Sequence, residues 1–187
     1  MRKPQLHTCE VCRLVYMHGS VNDGWMHRVE HRKTLRVLKP APSARLAKLF
    51  KQYGSFVPVK RSSSPWLRVR LYEIARAFRN ETHIFGTPYS VYGTDPEGDG
   101  YLMVSENGVN AGGFHATWYN YTNHPAQWEL DWIWVVPGYR RQGWLRRSWE
   151  MVCKKYPGIQ PSLPFLSKEA AKFFGGSFEP SSWMPPV

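Results

Sequence analysis

Apolar residues recur at helical spacing in the first half of the chain. Between Ser43, a good N-cap residue, and Gly54, a frequent helix stop, they occur at every third or fourth position and predict a short helix. A second series extends from Pro65 to about Asn80 and predicts a longer amphipathic helix with proline at its first position. The β-prone segment Phe56–Val59 lies between the two and predicts a first strand.

The second half of the chain has mainly strand patterning. Two apolar runs, 101–105 and 109–119, flank a turn that contains Asn107-Gly108 and predict a β-hairpin. Residues 127–136 are the most β-prone stretch and predict a long strand. The other predicted elements are an irregular loop at 86–100, a helix that begins after Gly138 and ends before Pro157, an edge strand at 159–165, and a short helix capped by Ser167.

The composition of the 187-residue chain fits one main folded domain with a small appendage. Hydrophobic residues make up 42% of it, which excludes a wholly disordered chain. Residues 1–80 carry 17 basic and 4 acidic residues, whereas residues 81–187 carry 8 and 10. This asymmetry favours a polyanionic partner such as nucleic acid and argues against a polycationic substrate. A basic face that serves solubility alone fits the same count.

Cysteine content and hydropathy bear on the compartment. Three cysteines do not make the disulfide framework of a small secreted protein, so the sequence favours a reducing compartment. No segment approaches the roughly 20 apolar residues that a membrane span needs. We therefore expect a soluble cytoplasmic protein, or a nuclear one in a eukaryote, that does not contact a membrane.

The N-terminal segment has few aliphatic side chains and needs a cross-link to hold a fold. Cys9, Cys12, His27 and His31 have the spacing Cys-x2-Cys-x14-His-x3-His, in which the two histidines share one helix face. This pattern predicts a tetrahedral zinc site, and because protein side chains fill all four positions the zinc is expected to be structural. The alternative is that these are ordinary small and surface residues.

The domain organisation follows from this site. We expect a zinc finger at 1–38, a linker with a short helix and the first strand at 39–63, and the main domain at 64–187. A lone finger contacts only about 3 bp of DNA, so basic side chains near it would bind phosphates without regard to sequence. These side chains are Arg28, Arg32, Lys33 and Arg36.

A basic, glycine-containing turn follows the predicted long strand. Residues 137–146 read Pro-Gly-Tyr-Arg-Arg-Gln-Gly-Trp-Leu-Arg and lead into the next helix. Free N–H groups at a helix N-terminus suit a pyrophosphate, and Gly143 permits its close approach. The turn predicts a phosphate-bearing cofactor; a plain loop before a basic helix start is the alternative.

The turn resembles the pyrophosphate motif of the GNAT superfamily of acetyltransferases, Arg/Gln-x-x-Gly-x-Gly/Ala after a strand. Arg140-Arg141-Gln142-Gly143-Trp144-Leu145 matches it, with Leu145 in place of the small last residue. The order of predicted elements from Ser64 to Phe174 is also similar to that fold. With the finger, Ile133-Trp134-Val135 and Ser162-x-Pro164, the chain further resembles the cohesin acetyltransferases, although Leu163 stands where that family has a catalytic acid.

The resemblance implies an α+β fold with a GNAT-like mixed, mostly antiparallel sheet flanked by helices and preceded by a two-Cys-two-His zinc finger. It implies an N-acetyltransferase that moves acetyl from acetyl-CoA to a protein lysine or another amine by direct attack. The residues implied to bind the cofactor are Ile133, Trp134 and Val135 for the pantetheine arm and Arg140, Arg141, Gln142, Gly143, Trp144, Leu145 and Arg146 for the diphosphate.

Candidate catalytic residues lie on the long strand. Glu129 and Asp131 are two residues apart and so share a face, where buried carboxylates are costly unless paired or used. The resemblance ranks Asp131 first as the base and Glu129 second, with Ser162 as a positioning residue. Solvent exposure or pairing with arginine is the alternative for both acids. The residues interpreted as incidental are His115, His124 and Cys153, the last on the buried stripe of a helix.

Two other functions fit the sequence. The first is a non-catalytic nucleic-acid-binding or interaction protein on the same fold, which the basic N-terminal part favours. The second is a toxin-like acetyltransferase of aminoacyl-tRNA, which shares the chemistry and differs in the substrate.

Overall fold

Helices flank a central, mostly antiparallel sheet in a mixed α+β fold. The structure is a computed structural model that describes residues 5–83, 98–120, 122, 125–162 and 172–174. Its N-terminal elements are β1 (Gln5–Thr8), β2 (Val15–His18), α1 (Val21–Leu38) and α2 (Ala44–Tyr53). They are followed by β3 (Phe56–Val59), α3 (Pro65–Thr82), β4 (Gly98–Val104), β5 (Asn110–Tyr119), β6 (Gln127–Val135), α4 (Trp144–Lys155) and β7 (Gln160–Pro161).

The central sheet has the strand order β3-β4-β5-β6-β7. Its neighbouring strands are antiparallel except β6 and β7, which are parallel and joined through α4. A bulge interrupts the β5–β6 register, because His115 pairs with Trp132 and Ala116 with Leu130, which leaves Asp131 as the extra residue. Strands β1 and β2 form a separate antiparallel hairpin.

Local sequence signals place most of these elements. The side chain of Ser43 accepts a hydrogen bond from the backbone N–H of Leu46 at the start of α2, and Gly54 ends that helix at φ 72°. Pro65 begins α3. The β4–β5 hairpin turns at Gly108, whose φ is 74°. The predicted short helix, longer helix, first strand, hairpin and long strand are therefore confirmed.

Two predictions for the C-terminal half are wrong. The fourth helix begins at Trp144 and not after Gly138, because Pro137–Tyr139 forms a 3₁₀ turn and Gly143 has a φ of 77°, outside the helical region. Cys153 is exposed and does not belong to the buried stripe of that helix. Successive residues of a helix are rotated by about 100° around its axis, so a residue next to the buried stripe can already face solvent.

Other predicted elements are met only in part. The strand predicted at 159–165 is formed at Gln160–Pro161 among the described residues. The end of the predicted irregular loop, Gly98 to Gly100, belongs to β4, and the rest of that loop lies outside the described residues. The cap of the last predicted helix, Ser167, and His124 also lie outside them.

The core lies on both faces of the sheet. One face packs against α1, α2 and α3 through buried residues that include Val37, Leu46, Leu71, Ile74, Phe78, Leu102, Trp132 and Trp134. The other packs against α4 through Tyr101, Met103, Phe114, Leu130, Trp144, Val152 and Tyr156, among others. No helix in the described part of the chain is long and apolar enough to cross a bilayer.

Candidate functional site

The four predicted metal ligands come together at the N-terminal end of the fold. Cys9 and Cys12 follow β1, and His27 and His31 lie one helical turn apart on α1. Their ligand atoms all lie within 4.8 Å of one another, and Cys9 Sγ is 3.3 Å from His31 Nδ1. Two thiols and two imidazoles in one cluster are a donor set that zinc prefers, so the cluster could hold a metal ion.

A tight turn positions the two cysteines. The backbone N–H of Arg13 donates to the carbonyl of Cys9 at 2.8 Å, and the N–H of Cys9 donates to the carbonyl of Leu14 at 3.0 Å. Arg13 closes this turn at a φ of 59°, in the left-handed region. Ser20 caps α1 by accepting a hydrogen bond from the N–H of Asp23. This cap fixes the start of the helix and therefore the positions of the two histidines along it.

The surroundings of the cluster suit a cation. Burial acts to raise the pKa of the Cys9 thiol, but hydrogen bonds from the Cys12 backbone, His27 and His31 outweigh it and lower that pKa to about 6. His27 Nε2 is buried and has no hydrogen-bond partner among the described residues. The Tyr16 ring stacks on the His27 ring with 4.1 Å between centroids and holds its orientation. An unpaired nitrogen beside a thiolate therefore fits zinc ligation.

Helix α1, which carries the two histidines, also packs against the main domain. Glu30 Oε2 accepts a hydrogen bond from Arg76 Nη1 of α3 at 2.5 Å and pairs with Lys33 at 2.6 Å through its other oxygen. Val37, the next-to-last residue of α1, is buried in the core on the α3 side of the sheet. Helix α1 thus carries the two predicted metal-ligating histidines in its middle part and packs on the sheet domain from there to its C-terminal end.

The buried acid Asp131 has three side-chain donors around its carboxylate. His115 Nδ1 donates to Oδ2 at 2.6 Å, the Thr117 hydroxyl donates to Oδ2 at 2.5 Å, and the Tyr119 hydroxyl donates to Oδ1 at 3.0 Å. Asp131 and His115 are each 1% exposed. An ionised carboxylate can only accept hydrogen bonds, so this contact places a ring proton of His115 on Nδ1.

The bulge explains why Asp131 reaches these donors. As the extra residue of β6, it shares the α3-side face with His115 and Thr117 of β5. Gly98 makes room for the imidazole, because a Cβ there would lie 2.5 Å from two atoms of the His115 ring. Glu129 pairs across the sheet with Thr117 and so lies on the same face as Asp131, as predicted; it is half-buried and accepts a hydrogen bond from Gln127.

The sequence analysis interpreted His115 as incidental and missed its hydrogen bond to Asp131. A hairpin register drawn from the Asn107-Gly108 turn places it on β5, but its partner comes from β6 through a bulge that has no sequence signature. A second missed cluster lies on the α4 side of the sheet. There Asp99 accepts hydrogen bonds from the Tyr156 hydroxyl at 2.5 Å and from Lys155 at 3.1 Å. These bonds lower the pKa of Asp99 against the opposing effect of its burial.

The predicted phosphate turn connects β6 to α4 at the surface. The Arg140 guanidinium donates to both oxygens of Glu81 at 2.6 and 2.7 Å and to the carbonyl of Val135 at 3.0 Å, so it is held against the protein. Arg147 Nη1 donates to the carbonyl of Gln142 at 3.0 Å. The residues of the turn that are exposed include Arg141, Gln142 and Arg146.

The remaining predicted residues are spread along β6 and its neighbours. Ile133 and Val135 are half-buried and Trp134 is buried at the end of the strand nearest the turn. Ser162 is buried next to the start of β6, where its N–H donates to the carbonyl of Leu130 at 3.0 Å. The structure therefore brings together the four predicted metal ligands, and it places Asp131, Glu129 and Ser162 near one stretch of β6, with the turn beyond its far end.

No protein-family model matches the chain, and no curated protein matches it significantly.

Proposed function

We propose that the chain is an N-acetyltransferase that moves acetyl from acetyl-CoA to an amine, with a zinc-bound finger as a structural support. The observation that carries the proposal is the β6–α4–β7 unit. It is a strand, a glycine-containing basic turn, a helix and a parallel strand, added to an otherwise antiparallel sheet. This order supports the GNAT-like fold that the turn motif implies.

The start of α4 offers donors for a diphosphate. The N–H groups of Trp144, Leu145 and Arg146 are in the first helical turn and have no intrahelical acceptor. Gly143 at the N-cap has no side chain to occupy them. The positive end of the helix dipole and the exposed Arg141 favour an anion at the same place. We assign diphosphate binding to these backbone groups and assign to Arg140 the positioning of the turn through Glu81.

The open edge of β6 offers a place for an extended chain. Strand β7 pairs with β6 only at Glu129 and Leu130. From Trp132 to Val135 that edge of β6 has no strand partner in the described part of the chain. Unpaired backbone groups in a strand edge bind extended ligands by adding hydrogen bonds. The pantetheine arm would lie there and bring the thioester toward Asp131.

We assign different catalytic roles to Glu129 and Asp131, the two acidic residues of β6. An amine attacks a thioester only when it is neutral, so a nearby base must accept its proton. Glu129 is half-buried and lies on the face that Asp131 shares, which favours it for direct contact with the amine. Both oxygens of Asp131 are engaged, and we assign to it the orientation of His115 Nε2.

The test combines binding with turnover. We expect wild-type protein to bind acetyl-CoA in calorimetry and to acetylate an amine library in a coupled thiol-release assay. Glu129→Gln should lower turnover by about 10²–10⁴-fold and leave acetyl-CoA affinity unchanged, because general-base catalysis contributes about that much. Glu106→Gln, in the exposed β4–β5 turn, is the matched control and should change neither. Absence of acetyl-CoA binding by the wild-type protein would contradict the proposal.

A specific observation supports the second candidate, a non-catalytic nucleic-acid-binding protein. Asp131 is 1% exposed and fully hydrogen-bonded, as a purely structural acid would be. Such a protein would bind oligonucleotides with strong salt dependence and show no thiol release with any amine. An acetyltransferase of aminoacyl-tRNA would instead release thiol only with charged tRNA, so the same assay with that substrate separates the three functions.

A further inference from the structure

The solvent-facing side of helix α1 combines arginines with an exposed tryptophan. Trp25 is 58% exposed, although tryptophan side chains are usually well buried. Successive residues of an α-helix are rotated by about 100°, so residues three or four apart share a face. One such series falls within about 80° of the circumference of α1. All its members are exposed, and they form what we call the arginine face: Val21, Trp25, Arg28, Arg32 and Arg36.

The acidic residues of α1 do not neutralise the arginine face. Asp23 Oδ2 accepts a hydrogen bond from the backbone N–H of Met17 at 2.8 Å. Glu30 pairs with Lys33 and with Arg76 of α3. Both acids lie about 180° around the helix from the middle of the arginine face. The exposed side of α1 is therefore positively charged along its length.

The contacts by which zinc fingers read duplex DNA are not free in α1. A two-Cys-two-His finger contacts bases from the residue before its helix and from the third and sixth residues of that helix. In α1 these are Ser20, Asp23 and Met26. The Ser20 side chain accepts a hydrogen bond from the N–H of Asp23, and the Asp23 carboxylate accepts one from Met17. Because two of the three positions are used inside the finger, the exposed arginines and Trp25 suit a different mode of binding.

We propose that the arginine face binds single-stranded nucleic acid, with the arginines on phosphates and the Trp25 indole stacked on an unpaired base. Arg28 Nη1 lies 3.9 Å from the position that a Cβ on Gly24 would take, so its guanidinium lies over the turn of α1 that carries Trp25. Proteins that bind single strands combine positive charge along the backbone with aromatic rings on which bases stack. In a duplex the bases already stack on one another, so the exposed indole favours a single strand.

A membrane surface fits the arginine face less well. A helix that lies on a membrane has its apolar residues on one face and its basic residues on the opposite face. In α1 the apolar Val21 and Trp25 share one face with the arginines. The proposal is also independent of acetyl transfer, because the arginine face contains no residue assigned to that reaction.

The first test compares a single strand with a duplex. Fluorescence anisotropy is measured on the zinc-loaded full chain, without acetyl-CoA, using a labelled oligothymidylate of about 12 nucleotides and the same strand annealed to oligoadenylate. Trp25→Ala should weaken single-strand binding about tenfold and duplex binding less than about twofold, because only unpaired bases stack on the indole. Trp25→Phe should retain most of the single-strand affinity, since its ring can also stack.

Met26 supplies the matched control for Trp25. It is exposed on the same helix, is rotated by about 100° from Trp25, and occupies a base-contacting position of a duplex-reading finger. Met26→Ala should leave single-strand affinity unchanged. Equal losses in Met26→Ala and Trp25→Ala, or equal losses of single-strand and duplex binding in Trp25→Ala, would overturn the proposal.

A second pair of variants tests the phosphate contacts. Arg32→Ala should weaken binding of both oligonucleotides and reduce the slope of log affinity against log salt concentration by about 0.7 for the single strand. Arg61→Ala removes the same charge from the exposed turn between β3 and α3 and should leave the slope unchanged. Zinc content and circular dichroism verify that each variant is folded. Equal slopes in the two variants would contradict the role of the arginine face.

The remaining measurements identify the ligand. An oligouridylate titrated in parallel tells whether RNA or DNA binds more tightly, because only RNA has the 2′-hydroxyl group; binding of either one, with loss in Trp25→Ala, supports the proposal. No binding of either single strand by the wild-type protein would overturn it. Binding to anionic lipid vesicles in place of oligonucleotides, with loss in Trp25→Ala, would assign the face to a membrane and would also overturn it. Neither result bears on acetyl-CoA binding, which calorimetry measures separately.

Discussion

Apolar side chains are much more exposed to solvent in the finger than in the sheet domain. In the finger Leu6 is 73% exposed, Val15 57% and Trp25 58%, whereas Leu71 and Leu102 in the sheet domain are fully buried. A region that buries so little apolar surface gains little from the hydrophobic effect. We therefore expect the stability of the finger to depend on metal binding by its Cys2His2 cluster, and that of the sheet domain to depend on packing.

The largest expected effect comes from breaking the metal site. Cys12→Ser should abolish binding of zinc and unfold residues 5–20 and the first half of α1, because a structural zinc contributes about 10–16 kcal/mol to such modules. Zinc content and circular dichroism measure the change. Cys153→Ser, at an exposed cysteine outside the cluster, is the control and should retain one zinc per chain. Loss of the central sheet together with the finger would contradict the contrast between the two regions.

The next largest effect is expected at the buried acid of the sheet domain. Asp131→Ala leaves His115, Thr117 and Tyr119 without their shared acceptor. We expect a loss of about 3–5 kcal/mol in the free energy of unfolding, measured by urea denaturation, with zinc content unchanged. Glu129→Ala removes a half-buried acid and should lower the same quantity by less than about 1 kcal/mol. Equal losses at the two positions would show that the hydrogen-bond network adds nothing.

A substitution that creates a cavity in the core tests whether the sheet domain is stabilised by packing. Leu71→Ala should lower the unfolding free energy by about 2–5 kcal/mol, since Leu71 is fully buried between α3 and the sheet. Val69→Ala lies on the same helix at a position that is 42% exposed and should stay within about 0.5 kcal/mol of wild type. Zinc affinity should be unaffected by either change, and a shared loss of zinc would indicate that the regions fold as one unit.

The smallest effect is expected at the contact between the finger and the sheet domain, where Glu30 of α1 pairs with Arg76 of α3. Glu30→Gln weakens the ion pairs with Lys33 and Arg76 and should cost about 0.5–1 kcal/mol. The pKa of Glu30 is lowered in the folded state, first by Lys33 and then by Arg76 against the effect of burial. A lowered pKa stabilises the fold above the unfolded pKa and loses that contribution as the pH falls through the folded one. The wild-type and variant unfolding free energies should therefore converge below about pH 4.

Local sequence signals predicted a helix, the β-hairpin and the cluster of four potential metal ligands correctly. Ser43 and Gly54 bound α2, the Asn107-Gly108 turn makes the hairpin, and the cysteine and histidine spacing identifies the four residues that cluster. The helix caps and the turn act within a few residues, and the ligand spacing is a pattern of residue types, so none of them needs knowledge of the fold.

Features that depend on the register between strands were not predictable. The pairing of His115 with Asp131 needs a bulge that places one extra residue of β6 opposite β5. The late start of α4 depends on Gly143 at positive φ, which its sequence context permits but does not require. The start of α4 and the pairing of His115 with Asp131 thus lie where tertiary structure overrides local preference.

The most direct test of the proposed function is hydrogen–deuterium exchange of the zinc-loaded protein with and without acetyl-CoA. The account predicts slower exchange in the peptide that covers residues 141–147 and along the second half of β6, with the finger unchanged. Exchange that is the same at the turn with and without saturating acetyl-CoA would contradict the assignment of the turn to a diphosphate.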